Sequence, residues 1–84
     1  MTREQISDFC VSALANVLRT SKDRVRTDAK FSRLGLDSAM IVYVQMELEE
    51  KLDFELSPDD FYDYPTIDAL SHYLAERQAK RSAA

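Results

Sequence analysis

Apolar residues recur at helical spacing in three stretches of this chain. Ile6, Phe9, Cys10, Ala13, Leu14, Val17 and Leu18 fall at i, i+3, i+4, i+7, i+8, i+11 and i+12. They form one unbroken stripe that predicts an amphipathic helix over residues 3–18. Thr2 is placed to cap it, and Glu4 puts a negative charge in the first turn. The next stretch, 19–35, is polar, with Val25, Ala29, Phe31 and Leu34 as spaced anchors, and reads as a long loop pinned to the core with a short turn of helix. A loop this long in a small domain points to function. Gly35 closes it, supplying the backbone freedom of a sharp turn.

Asp37 is a good N-cap for a second helix over residues 38–51, with Ile41, Val44, Leu48 and Leu52 as the buried stripe. Ala39, Val42, Tyr43 and Met46 fall outside that stripe. Such a helix is either covered on two sides or binds something. Phe54 and Leu56 follow as anchors. Ser57, Pro58, Asp59 and Asp60 form a helix-start pattern: Ser as cap, Pro at the first position, acids in the first turn. Pro65 limits that helix to about two turns because it disfavours helix at the residue before it. Thr66 caps a last helix striped by Ile67, Leu70, Tyr73 and Leu74. Residues 78–84 hold no packing residues and are expected to fray. No strand-like alternation appears. The expected fold is all-α: a four-helix bundle with a long first loop and a short third helix, in one domain spanning 1–84.

Composition narrows the function. Eighty-four residues suffice for one small domain. A net charge of -4 argues against nucleic acid as partner. The longest apolar run, Ala39 to Val42, is far too short to span a membrane or serve as a signal peptide, so no membrane association is expected. One cysteine, one glycine and one histidine leave little for disulfides, phosphate loops, metal sites or nucleophile–base pairs. No enzyme activity and no metal are expected, and cytosol is the default compartment. The net charge also conceals a division. Residues 1–36 carry +3, residues 37–68 carry -9, and residues 69–84 carry +2. The acidic middle third is either a solvated face or a field that steers a basic partner.

Leu34-Gly35-Leu36-Asp37-Ser38, followed by an amphipathic helix with Glu47, Glu49 and Glu50, resembles the signature of acyl carrier proteins. The likeness extends over nearly the whole chain through the helix order and the Tyr64-Pro65-Thr66-Ile67 junction. The resemblance implies that Ser38 is esterified with 4′-phosphopantetheine taken from coenzyme A, and that acyl groups ride on that arm as thioesters. The position makes physical sense. A serine opening a helix lies at the surface, where the free amides and the positive end of the dipole suit a phosphodiester. Asp37 fixes the approach by capping the same turn. Ser38 has no expected base nearby, so a phosphopantetheinyl transferase must activate it. The other implied partners are acyl-loading and condensing enzymes: a ketosynthase, and an acyltransferase or ligase.

Val42 and Met46 lead away from Ser38 along the helix. They form the apolar centre of a docking surface rimmed by Glu47, Glu49 and Glu50, or else lie beneath the loop of residues 19–35. Cys10 reads as an inert buried thiol, and His72 as solvent-facing. Many fatty-acid carriers have acids at the second and fifth positions after the serine, where this chain has Met40 and Tyr43. That departure and the Tyr-Pro-Thr-Ile junction favour carriers of polyketide and related pathways of secondary metabolism, including antibiotic biosynthesis. Fatty-acid, aminoacyl or peptidyl carriage remains the alternative within the class. A helical interaction domain with an acidic face and no prosthetic group is the alternative outside it. Met1 and the short tails suggest a freestanding protein, with an excised domain that has a convenient start as the alternative, and a monomer is expected.

Overall fold

The computed structural model describes residues 1–83. Four α-helices follow in order: α1 (Arg3–Leu18), α2 (Ser38–Leu52), α3 (Asp60–Asp63) and α4 (Ile67–Ala83). Two 3₁₀ turns, Lys22–Arg24 and Phe31–Leu34, punctuate the long loop between α1 and α2. Thr2 and Gln5 form a reciprocal capping box at the start of α1: the Thr2 side chain accepts from the Gln5 amide, and the Gln5 side chain accepts from that of Thr2. Arg19 ends α1 in the left-handed conformation, as Asp53 ends α2.

One core joins all these parts. Ile6, Cys10 and Leu14 of α1, Val44, Leu48 and Leu52 of α2, and Ile67, Leu70 and Leu74 of α4 are buried in it. The loop contributes Val25 and Phe31, and the segment after α2 contributes Leu56 and Phe61. Ser71 is buried among them. Its hydroxyl donates to the Asp68 carbonyl at 3.1 Å, which makes burial of a polar side chain tolerable. The antiparallel pairing of α1 with α4 is the most extensive helix contact in the fold.

One expectation needs correction. The third helix is one turn rather than two, because the residues before it are not yet α-helical. The amides of Asp60, Phe61 and Tyr62 bond back three residues, to Ser57, Pro58 and Asp59. This tight start gives way to i→i−4 bonds only at Asp63 and Tyr64. Ser57 closes this tight turn rather than capping α3, whose N-cap is Asp59 with no side-chain cap bond: the Ser57 hydroxyl accepts from the Asp59 amide while the Ser57 amide donates to the Asp60 carboxylate. Helix α4 is continuous through Ala83, and position 84 lies outside the described residues. Gln78 accepts from the N-terminal ammonium, and Arg81 reaches the Asp53 carbonyl and carboxylate, so two side chains hold a segment lacking core residues.

Candidate functional site

The long loop is tied to the start of α4 by main-chain bonds. The Phe31 amide donates to the Pro65 carbonyl at 2.9 Å, and the Asp68 amide to the Thr27 carbonyl at 3.0 Å. The Phe31 ring meets that of Phe61 with centroids 5.6 Å apart. These contacts set the second 3₁₀ turn opposite α3 and leave a gap between them. Gly35 then turns the chain toward α2 at φ +87°, a conformation that a residue with a Cβ adopts only at a cost.

Asp37 caps α2, its carboxylate accepting from the Met40 amide at 2.9 Å, and Ser38 is the first helical residue. Ser38 is exposed. It stands with Asp37 at the edge of a cleft of about 310 Å³ lined by Phe31, Leu36, Ile41, Phe61, Tyr62 and Pro65. The capping carboxylate takes the Met40 amide, so the first amides of α2 remain directed out of the helix end beside the Ser38 hydroxyl. An exposed hydroxyl, a helix N-terminus and an apolar recess thus meet at one place. That combination suits a phosphodiester continued by a partly apolar arm. Neither histidine nor cysteine lines the cleft. His72 faces solvent and pairs with Glu76 on its own helix at 3.1 Å. Burial pushes the Cys10 thiol up to about 12, which makes it inert as a nucleophile near neutral pH.

The residues that flank Ser38 divide into two groups. Val42, Tyr43 and Met46 are exposed, and Tyr62 of α3 joins them at 63% exposure. The loop of residues 19–35 does not cover Val42 or Met46, which removes the covered alternative. Glu47 lies beside Tyr43, and by hydrogen bonding and charge it holds the phenol above its ordinary pKa. Glu50 is exposed. Glu49 departs from the expected rim: its carboxylate accepts the Leu56 amide at 2.8 Å. One turn earlier, the Gln45 side-chain amide donates to the Leu56 carbonyl at 2.9 Å. Together they clamp both main-chain groups of Leu56 and so fix the approach to α3. The sequence carried no sign of this clamp, since polar residues four apart on a helix usually face water.

The model of the family described as "Phosphopantetheine attachment site" matches residues 11–74, a stretch that includes Ser38 and the whole cleft. The chain belongs to this phosphopantetheine-attachment family. Its members are carriers and not catalysts, in accord with a serine that has no base beside it. As an acyl-carrier-like domain it is 36% identical over 77 residues to one polypeptide of the phenolphthiocerol/phthiocerol polyketide synthase of Mycobacterium tuberculosis. That match takes in 92% of this chain but only 4% of the synthase polypeptide. Among solved structures, a free-standing peptidyl carrier protein from a secondary metabolic pathway of Acinetobacter baumannii superposes with a TM-score of 0.87 at 33% identity. It covers 90% of this chain and 95% of that one. The HMG-ACPI domain from the CurA module of Lyngbya majuscula gives the same TM-score at 30% identity, covering 96% and 82%. Like the sequence, the structure offers no helix long and apolar enough to cross a membrane among the described residues.

Proposed function

We propose that this domain carries acyl intermediates of a polyketide-type pathway on a 4′-phosphopantetheine arm esterified to Ser38, in the cytoplasm. The observation that carries the reading is the exposed Ser38 hydroxyl, first in α2 and at the edge of an apolar cleft, inside the stretch matched by the family model. When bound, the arm supplies a thiol that holds acyl groups as thioesters. The domain's own residues do the rest. Asp37 fixes the helix start, α2 presents Ser38 to water, and the apolar cleft gives the arm a place to rest. Ser38 depends on a separate phosphopantetheinyl transferase for the base that it lacks.

Incubation with coenzyme A, Mg²⁺ and a broad-specificity transferase, followed by intact-mass measurement, tests the assignment. The parent chain gains one pantetheinyl group and Ser38→Ala gains none. An unmodified parent chain would return the domain to the class of plain interaction modules, and a modified Ser38→Ala would move the attachment elsewhere.

Val42 and Met46, flanked by Glu47 and Glu50, form the apolar centre of the surface that loading and condensing enzymes contact, with Glu49 contributing charge from behind the clamp. Val42→Asp is expected to slow transferase loading by about tenfold, in the manner of a lost interface anchor, and Met46→Ala by less. Unchanged rates in both variants would remove these residues from the surface. A second reading, peptidyl or aminoacyl carriage, is favoured by the likeness to the Acinetobacter carrier. The group found on the protein after isolation from its producer distinguishes the two.

A further inference from the structure

The basic residues of this chain are used in two ways. Two of the three in α4 are folded down onto the acidic middle segment. Arg81 pairs with Asp53, while Arg77 donates to the Glu55 carbonyl and stacks on the Phe54 ring with the guanidinium 4.4 Å from its centroid. The loop between α1 and α2 behaves differently. Up to the Asp37 cap it holds six bases and two acids, and its one ion pair among the described residues joins Arg26 to Asp28 within the loop itself, at 3.0 Å. Arg19, Lys22, Arg24, Lys30 and Arg33 are exposed. Their charges are not scattered by a mobile backbone, because Val25 and Phe31 are buried and main-chain bonds tie Thr27 and Phe31 to the start of α4.

The position of Lys30 and Arg33 gives this strip its meaning. The Arg33 amide donates to the Lys30 carbonyl at 2.9 Å, in the turn that supplies Phe31 and Ser32 to one wall of the Ser38 cleft. Lys30 is the extended cap of that turn and Arg33 its third residue, so the two bases bracket the wall formed by Phe31 and Ser32. Phe61 and Tyr62 of α3 form the opposite wall, flanked by the exposed Asp59 and Asp63, while Glu47 and Glu50 lie farther along α2, outside the cleft. The residues that flank the two walls therefore change sign from the loop to α3.

We propose that the loop is a second docking strip, and that the partner enzyme acting at Ser38 bears an acidic surface segment set against Lys30 and Arg33, beside a basic segment set against α2 and α3. The identification of that partner as an enzyme acting at Ser38 rests on the carrier reading. The strip itself rests on the charge map. A uniformly basic partner fits the α2–α3 side and is repelled at the loop. A two-signed partner is attracted on both sides and docks in one rotation about Ser38, because any other rotation brings like charges together.

The test titrates ¹⁵N-labelled full-length chain with a hexaglutamate peptide and, separately, with hexalysine. Hexaglutamate is expected to shift the amides of residues 30–36 saturably, and hexalysine those of α2 and α3. The double variant K30E/R33E weakens hexaglutamate binding about fivefold and leaves hexalysine binding no weaker, while K80E on α4 changes neither. Circular dichroism checks that the double variant keeps its helices, and the neutral variant K30Q/R33Q falls between it and the parent. Hexaglutamate shifts centred on residues 77–81, equal binding by K30E/R33E, or no saturable binding would each overturn the strip. Intact-mass measurement of transferase loading on the same samples tests the carrier reading separately. A parent chain that binds hexaglutamate at the loop but is never loaded loses the carrier reading and keeps the strip.

Discussion

The α1–α4 interface and the mouth around Ser38 are built by opposite means. At the interface, two of the longest elements bury Ile6, Cys10, Leu14, Ile67, Leu70 and Leu74, each no more than 1% exposed. At the mouth, one wall is a 3₁₀ turn and the other a helix of four residues. A single helical turn has no stability of its own in water. It holds its place through the Phe31–Phe61 contact and the Gln45–Glu49 clamp on Leu56. The contrast shows where the fold puts its stability and where it puts its chemistry. Ser38, the proposed attachment point, is joined to the rigid part through α2, while the walls around it are thin and locally held.

The largest expected effect lies on the interface. Leu70→Ala should destabilise the fold by about 2–5 kcal/mol in urea unfolding, since it removes a fully buried side chain and leaves a cavity. Ser38→Ala, exposed at the mouth, should leave the same curve within about 0.5 kcal/mol. Comparable losses in the two would erase the division between the regions.

A smaller effect tests the clamp. Glu49→Ala should cost about 1–3 kcal/mol by leaving the Leu56 amide without its acceptor. Glu49→Gln keeps an acceptor and removes the charge, and should lose less than half as much. Amide exchange faster at 56–64 than elsewhere in Glu49→Ala would sharpen the picture of a locally held wall. A uniform increase would dissolve it.

The last effect is confined to alkaline pH and acts on the interface alone. Burial raises the Cys10 thiol from 9.0 to about 12, so above pH 9 the unfolded chain gives up a proton that the folded chain keeps. The contribution of that neutral thiol is fully present below pH 9 and declines as pH rises toward 12. The slope from this group is at most about 1.4 kcal/mol per pH unit. Cys10→Ala begins less stable because it opens a cavity, but its advantageous loss of the titration should narrow the gap to the parent as pH climbs. Parallel urea midpoints across that range would contradict the assignment.

Much of the fold was legible because its signals are local. The stripe from Ile6 to Leu18 and the Thr2 cap give α1 its observed bounds, and Asp37 marks the start of α2. The place of Ser38 at the start of α2 was legible for the same reason: a cap, a first-turn serine and the Leu-Gly-Leu before them all lie within five residues. What escaped depends on neighbours distant in sequence. Nothing near Glu49 indicates that its carboxylate turns to Leu56 rather than to water. The stacking of Tyr64 on Tyr73, with centroids 4.1 Å apart, and of Arg77 on Phe54 needs α4 laid against the segment after α2. The cleft likewise arises from the meeting of Phe31 with Phe61, thirty residues apart. The late start of α3 escaped for a subtler reason, since Ser-Pro-Asp-Asp opens a 3₁₀ turn as readily as an α-helix.

The pairing of α1 with α4 has a consequence for how the molecule comes into being. Ile6 is made early and meets Leu70 and Leu74 only after some sixty further residues have been joined. Until then the apolar stripe of α1 has no α4 to cover it, and the emerging chain exposes that stripe to whatever receives it from the ribosome. Ser38 leaves the ribosome before its platform can close, so a transferase that needs the folded site must wait for α4.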